Sequence, residues 1–262
     1  MTLIKAAHMK GVRIEGKETF ASIPGLIMWC ETDFGVTLSG NNDVVSVADR
    51  SGFNNQIVCY VESRKAQLVP IGGGFYAMQC SGTAKWSNLL NAASKGWNPI
   101  FRQQPFGIFT LHSRNSQGVV YIFEHSPTGT NTMYFYVDAG GAVRYNFRNS
   151  DGIDTFVFSA SNLVSLDNTM HAIDAVCYGE GNSPRLELFV NTSSVATLAT
   201  SNVTGLEKAE ADFRVLRTVN VNTVAQLMMV LVYDWTGYSV SQINSFRQRV
   251  NNLREEKYGS IF

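Results

Sequence analysis

From Gly25 onward, short apolar runs alternate with clusters of Gly, Asn, Asp and Ser, the pattern of antiparallel strands separated by turns. Alternating or continuously apolar runs predict strands near 26–30, 44–48, 56–61, 67–70, 74–80, 106–113, 118–124, 132–138, 142–148, 154–159, 170–178, 185–190, 195–199, 212–217 and 226–234. So many short strands predict an all-β, two-sheet antiparallel jelly-roll sandwich. The period changes at the end of the chain. Val240, Ile243, Phe246, Val250 and Leu253 recur at three and four residues and predict a C-terminal amphipathic helix packed on the sandwich. Ser239 with Gln242 makes a capping box at its start, Gly259 a stop, and Arg247, Arg249 and Arg254 are expected to face mostly away from the stripe.

Two stretches depart from the strand pattern. Residues 1–24 show only one short alternation, Val12-Arg13-Ile14-Glu15, so the chain divides into an N-terminal arm, 1–24, and a domain, 25–262. Between Gly82 and Pro99 a longer insertion carries Trp86, Leu89, Leu90, Ala92, Ala93 and Trp97, room for a helical turn or two over an edge or end of the sandwich.

Composition narrows the partners. The chain has 262 residues and is 45% hydrophobic, enough for one sizeable core, while its 16% charged content leaves a polar, low-charge surface. Lys plus Arg equals Asp plus Glu at 21 each, so no global field draws nucleic acid or an anionic membrane, and neither is expected as a partner. The first residues lack an apolar core segment and predict no signal peptide, and no run is long enough to span a bilayer. Cys30, Cys59, Cys80 and Cys177 lack CxxC spacing and are expected as reduced, buried thiols made in a cytoplasm.

The chemistry of catalysis is hard to find. Sandwich glycanases project carboxylates from alternate positions of one strand, and the nearest echo, Glu31-Thr32-Asp33, has no third acid. His8, His112, His125 and His171 are dispersed without metal-ligand spacing, no GxSxG elbow is present, and Gly72-Gly73-Gly74 precedes a strand, not a helix. Asn149-Ser150-Asp151-Gly152-Ile153-Asp154 alternates oxygen ligands but lacks the distal Glu of a calcium loop and reads as a turn. No catalytic residue, metal or cofactor is expected.

A saccharide face wants aromatic rings beside planar hydrogen-bond donors. The best source is the hairpin 133–148. A two-residue loop at Gly140-Gly141 would set Tyr136 opposite Tyr145 and Tyr134 opposite Phe147 on one face, with Arg144, Asn146 and Arg148 on the other. On that register the tyrosines pack the core and the arginines face solvent. The candidate glycan residues are thus Tyr134, Tyr136, Tyr145, Arg144 and Arg148, with Trp86 and Trp97 as alternative platforms.

Pro24-Gly25-Leu26-Ile27-Met28-Trp29 followed by Val47-Ala48-Asp49-Arg50-Ser51-Gly52, together with Met229-Val230-Leu231-Val232-Tyr233-Asp234 and Lys257-Tyr258-Gly259, resembles the opening and closing motifs of the concanavalin A-like (laminin G-like) jelly-roll family. Pro105–Leu111 resembles its central strand. Thr169–Ala175 with Arg185–Asn191 resembles its hairpin, with Met170 in place of the usual aromatic and Asn191-Thr192 in place of Asp-Gly. The resemblance implies a helix packed on the sandwich and a structural role for His171. It leaves function open among lectins, glycanases, adhesins and virion proteins.

The expectation is a non-catalytic structural or adhesion protein of a virion exterior, such as a bacteriophage head decoration or fibre-like component. It would be a homo-oligomer, docked on a capsid or other virion protein through Lys5, Lys10, Arg13 and Lys17 of the arm, with weak binding of a cell-surface glycan. The alternatives are a soluble glycan-binding lectin and a glycoside hydrolase of the same fold.

Overall fold

The computed structural model describes residues 18–59, 65–82, 87–89, 105–125, 132–148, 154–179, 185–199, 213–219, 223–259 and 261. Among them the strands run, in chain order, β1 (Leu26–Glu31), β2 (Val36–Leu38), β3 (Val44–Val47), β4 (Ile57–Val58), β5 (Gln67–Gly72), β6 (Phe75–Ser81), β7 (Ser87–Leu89), β8 (Phe106–Arg114), β9 (Val120–His125), β10 (Thr132–Val137), β11 (Val143–Arg148), β12 (Asp154–Phe158), β13 (His171–Cys177), β14 (Arg185–Val190), β15 (Ser193–Ala199), β16 (Phe213–Thr218) and β17 (Val224–Asp234), before one helix, α1 (Val240–Tyr258). Every predicted strand is present. The two unforeseen ones, β2 and β7, are three residues each, too short to show a period.

The strands form two antiparallel sheets. The first is ordered β15-β14-β13-β8-β17-β6-β5 with β1 also on β17, the second β12-β11-β10-β9-β16-β7-β4-β3-β2. β17 serves two partners on one edge, β6 through Val224–Leu227 and β1 through Met229–Tyr233, with Met228 at the break in register.

The first sheet is buried on both faces. Phe106, Ile108, Ile173, Val230 and Val232 point into the inter-sheet core, while Phe109, Leu111, Val176, Leu231 and Tyr233 meet Ile243, Phe246 and Val250 of α1. Two-sided burial is why 106–113 and 226–234 read as continuous apolar runs. All four cysteines are buried thiols.

The opening and closing motifs meet in space. The buried Glu31 carboxylate accepts from Arg50 Nη1 at 2.9 Å, Lys257 Nζ at 2.8 Å and Tyr258 Oη at 2.7 Å, tying β1 to the end of α1. Asp49 accepts the backbone N–H groups of Trp29, Ser51 and Asn55 at 2.8–2.9 Å, and the Arg50 guanidinium lies 3.9 Å from the Trp29 ring centroid. Gly25 has φ +85°, and a Cβ there would sit 2.0 Å from the Asp234 carbonyl oxygen, which makes glycine obligatory at this crossing. These motif residues build the scaffold.

One expectation about the helix needs correction. Arg254 does not face away from the stripe: it lies four residues after Val250, on the buried side, with its side chain 1% exposed. Its Nη1 and Nη2 donate to the two Asp174 oxygens at 2.6 and 2.7 Å, and Nη2 also to Asn251 Oδ1 at 2.6 Å. Gly259 caps the helix as read, in right-handed geometry at φ −57°. The Ser239–Gln242 capping box forms as read.

Of the arm, residues 1–17 lie outside the described residues, and with them Lys5, Lys10, Arg13 and Lys17. Residues 18–24 pack on the domain. Phe20 and Ile23 are buried beside Trp29, Tyr233 Oη donates to the Phe20 carbonyl at 3.2 Å, Trp235 Nε1 donates to the Pro24 carbonyl at 3.1 Å, and Glu18 pairs with Arg249. Deleting residues 1–24 should therefore cost about 3–5 kcal/mol more unfolding free energy than deleting 1–17, because it removes two buried side chains from a packed cluster. Urea unfolding of the two truncations checks this; equal midpoints would contradict it.

Candidate functional site

The hairpin of β10 and β11 closes through a three-residue loop, not the two-residue loop expected. Asp138 N–H bonds the Ala142 carbonyl at 2.9 Å, and Gly141 takes φ +80°, where a Cβ would lie 2.5 Å from Arg114 Nη2. One extra loop residue shifts the register by one and exchanges the faces. Tyr136 stands opposite Arg144, Tyr134 opposite Asn146 and Phe135 opposite Tyr145.

Tyr145 packs the core as the expected register implies, but Tyr134 and Tyr136 do not. Tyr145 is fully buried in the inter-sheet core, between Phe106 and Phe135, with its hydroxyl donating to Met133 Sδ at 3.0 Å. Tyr134, Tyr136 and Arg144 share the outward face of the second sheet and are half-buried. Rings and planar donors, expected on opposite faces, are on the same one. The side chain of Arg148 lies outside the described residues, as do Trp86, Trp97 and residues 149–153 of the suspected calcium turn.

The face extends onto strands the sequence did not single out. Tyr121 of β9 lies opposite Tyr136, with ring centroids 5.2 Å apart, and 5.4 Å from Tyr134. Arg217 of β16 lies opposite Tyr121, its guanidinium 5.5 Å from that ring. Glu124, 2% exposed, accepts from Arg217 Nη1 at 2.6 and 2.7 Å and from Arg214 Nη1 at 3.3 Å. On the far side Asp138 Oδ2 accepts from Arg144 Nε at 2.7 Å and Nη2 at 2.6 Å.

A pair of bulges assembles this cluster. Pairing with β10 skips Ile122, which brings Tyr121 and Glu124, three residues apart, onto one face. On β16 pairing skips Leu216, which adopts φ +52°, and Arg214 and Arg217 both reach Glu124. A buried leucine in the left-handed region is strained, and such strain persists only where the surroundings impose it.

Each guanidinium is braced by a carboxylate and carries five donors in a fixed plane, more than one carboxylate uses. Burial pushes the Tyr121 hydroxyl up, with Glu124 adding to it; burial likewise raises Tyr136, so both remain protonated donors at neutral pH. Partial burial raises the Asp138 carboxyl, but the Ala142 N–H and Arg144 outweigh it and hold Asp138 below the usual range.

One other cluster has the residue types of a catalytic site. Ser165 Oγ lies 3.0 Å from His171 Nε2, and Asn191 Nδ2 lies 3.1 Å from His171 Nδ1. Asn191 Oδ1 accepts from Ala172 N–H, so its amide nitrogen faces Nδ1, and Ser165 N–H donates to Nε2 at 3.4 Å. Ser165 in turn donates to Asp167 at 2.6 Å. The serine hydroxyl is thus directed at Asp167 and not at the ring, and the cluster ties the 159–170 loop to β13. Among the described residues no group of three His, Cys, Asp or Glu side chains could hold a metal ion.

No family model matches the chain, and no curated protein sequence matches it. Solved structures do. The chain is similar to the binding domain of Paraclostridial mosquitocidal protein 1, with 10% identity and a TM-score of 0.64 over 89% of this chain and 54% of that one. It is similar to the binding domain of botulinum neurotoxin DC solved in complex with SialylT, with 11% identity and a TM-score of 0.58 over 88% and 52%. A structure of botulinum neurotoxin type C, described as entering cells through two ganglioside molecules, matches with 11% identity and a TM-score of 0.59 over 88% and 53%. At these identities the likeness is one of fold, an all-β sandwich, and this chain spans about half the length of each.

Proposed function

We propose that this chain is a non-catalytic carbohydrate-binding sandwich and that its ligand lies on the tyrosine–arginine face of the second sheet. The carrying observation is that Tyr121, Tyr134 and Tyr136 form one half-exposed ring cluster flanked on the same face by Arg217 and Arg144. A pyranose offers an apolar face to rings and equatorial hydroxyls to planar donors, and here both are held in place before the ligand arrives. The glycan-related names of two of the similar structures support the reading. So does the placement of the carboxylates: hydrolysis needs a pair of acids turned toward the substrate, whereas Glu124 and Asp138 are both engaged by arginines.

Titration calorimetry with ligands found on a glycan array tests this. Tyr136→Ala and Arg217→Ala should each weaken binding about tenfold or more, with no reducing sugar released. An empty array would overturn the reading, as would turnover abolished by Glu124→Gln.

As the setting we propose the exterior of a virus particle, with Lys5, Lys10, Arg13 and Lys17 contributing to attachment to a capsid or other virion protein. What supports it is the sequence: the balanced charge, the low charged fraction and the basic arm. Particles that incorporate the 1–17 deletion at full occupancy would refute the docking role.

A further inference from the structure

The tyrosine cluster is the middle of a longer row. Across five adjacent strands of the second sheet, Arg217 on β16, Tyr121 on β9, Tyr136 on β10, Arg144 on β11 and Phe158 on β12 are successive cross-strand partners on the outward face. The contacts along it are continuous. The Arg217 guanidinium is 5.5 Å from the Tyr121 ring, Tyr121 is 5.2 Å from Tyr136, Tyr136 adjoins Arg144, and the Arg144 guanidinium is 5.5 Å from the Phe158 ring.

Phe158 is the anomaly in this row. It is 62% exposed, the most exposed large hydrophobic side chain among the described residues, and it stands on the edge strand of the sheet. Among the described residues of β12 it is Val157, the neighbour of Phe158, that joins the inter-sheet core. An apolar ring held in solvent at the end of a row of rings and guanidinium planes has the chemistry of a terminal stacking position.

From these observations, and resting on the carbohydrate-binding reading above, we infer that the ligand is a linear oligosaccharide lying across the strands, with Phe158 as the outermost stacking position. Neighbouring strands are about 4.8 Å apart, so the row from β9 to β12 spans about 14 Å. That spacing per strand is close to the advance per sugar along an extended chain, so successive sugars would meet successive members of the row. A single sugar would cover Tyr121 and Tyr136 alone. Rings and guanidinium planes along one row suit a chain that presents both apolar faces and hydroxyl edges. Asp138 and Glu124 brace the two guanidinium groups and stay out of the row.

The experiment is a chain-length series, from mono- to hexasaccharide of the sugar type found on the array, measured by calorimetry on the full chain and on Phe158→Ala, with Tyr136→Ala as a control for the central position. Affinity should rise with each sugar up to about three or four and then level. Phe158→Ala should weaken the longer ligands about tenfold while leaving the mono- and disaccharide unchanged, whereas Tyr136→Ala should weaken all of them. Phe158 is exposed, so its removal leaves the fold intact, and an unchanged unfolding midpoint confirms that the loss is in binding. Equal loss at every length, or no loss at any, overturns the row while leaving the central site standing. Sedimentation that shows self-association abolished by Phe158→Ala would also overturn it, by making Phe158 a contact between copies. Binding of no saccharide at all removes the functional reading and this inference together.

Discussion

Replacing Arg254 with methionine lowers the unfolding free energy by about 3–5 kcal/mol, because it strands a buried carboxylate. Asp174 is fully buried beneath α1, and both its oxygens accept from Arg254. Burial pushes the Asp174 carboxyl up, and the guanidinium offsets that push by direct charge and hydrogen bonds. Without Arg254 the folded-state pKa rises further above the unfolded value, so the penalty is larger at neutral pH and shrinks as pH falls toward the ordinary carboxyl range. The double variant Arg254→Met with Asp174→Leu should regain most of the loss, since an apolar pair of similar volume replaces a desolvated ion pair. Denaturant unfolding of the two single variants and the double variant at pH 7 and pH 5 reads all three effects. Additive losses in the double variant would show that the pair is not the source.

Acid should destabilise the fold through His112. This imidazole is fully buried within the sandwich, opposite His171 on β13 and two residues from Arg114 on its own strand. Burial drives it down from 6.5 to about 3; the neighbouring His171 and Arg114 charges add to the shift and the Gln226 backbone only partly offsets it. The folded state therefore holds His112 neutral, while the unfolded chain takes up a proton once pH falls below 6.5. Stability contributed by the neutral ring is complete above 6.5 and is lost progressively between 6.5 and about 3. Between pH 7.5 and pH 5 the loss from this group is about 2 kcal/mol. His171, also lowered by burial, adds to it in the same direction. His112→Leu should remove most of the dependence over that interval, and parallel stability–pH curves for the two proteins would refute the assignment.

The strands and the helix were legible because burial writes a period into the chain. The outward site was not, and the reasons are local. Gly140-Gly141 offers a two-residue turn, but the Asp138 carboxylate binds the Ala142 N–H and widens the loop by one residue, which leaves Tyr145 inward and sets Tyr136 outward beside Arg144. Strict alternation along β9 puts Tyr121 with Phe123 and away from Glu124; the skipped Ile122 reunites them, and no residue type announces such a bulge in advance. Arg254 escapes the pattern for a different reason: the apolar stripe runs to Leu253, whereas a helical step of four from Val250 reaches Arg254, and the charge on that step is matched by a partner on β13.

The amino-acid sequence by itself determined the all-β sandwich, the closing helix and its cap. Those follow from local period and turn chemistry, which each segment carries alone. Only the tertiary structure decided which face the tyrosines occupy, which arginines are braced on the surface and which is buried. A side chain's face in a sheet depends on register, and register is set jointly by a loop, two bulges and the core on the other side, none of which a single strand contains.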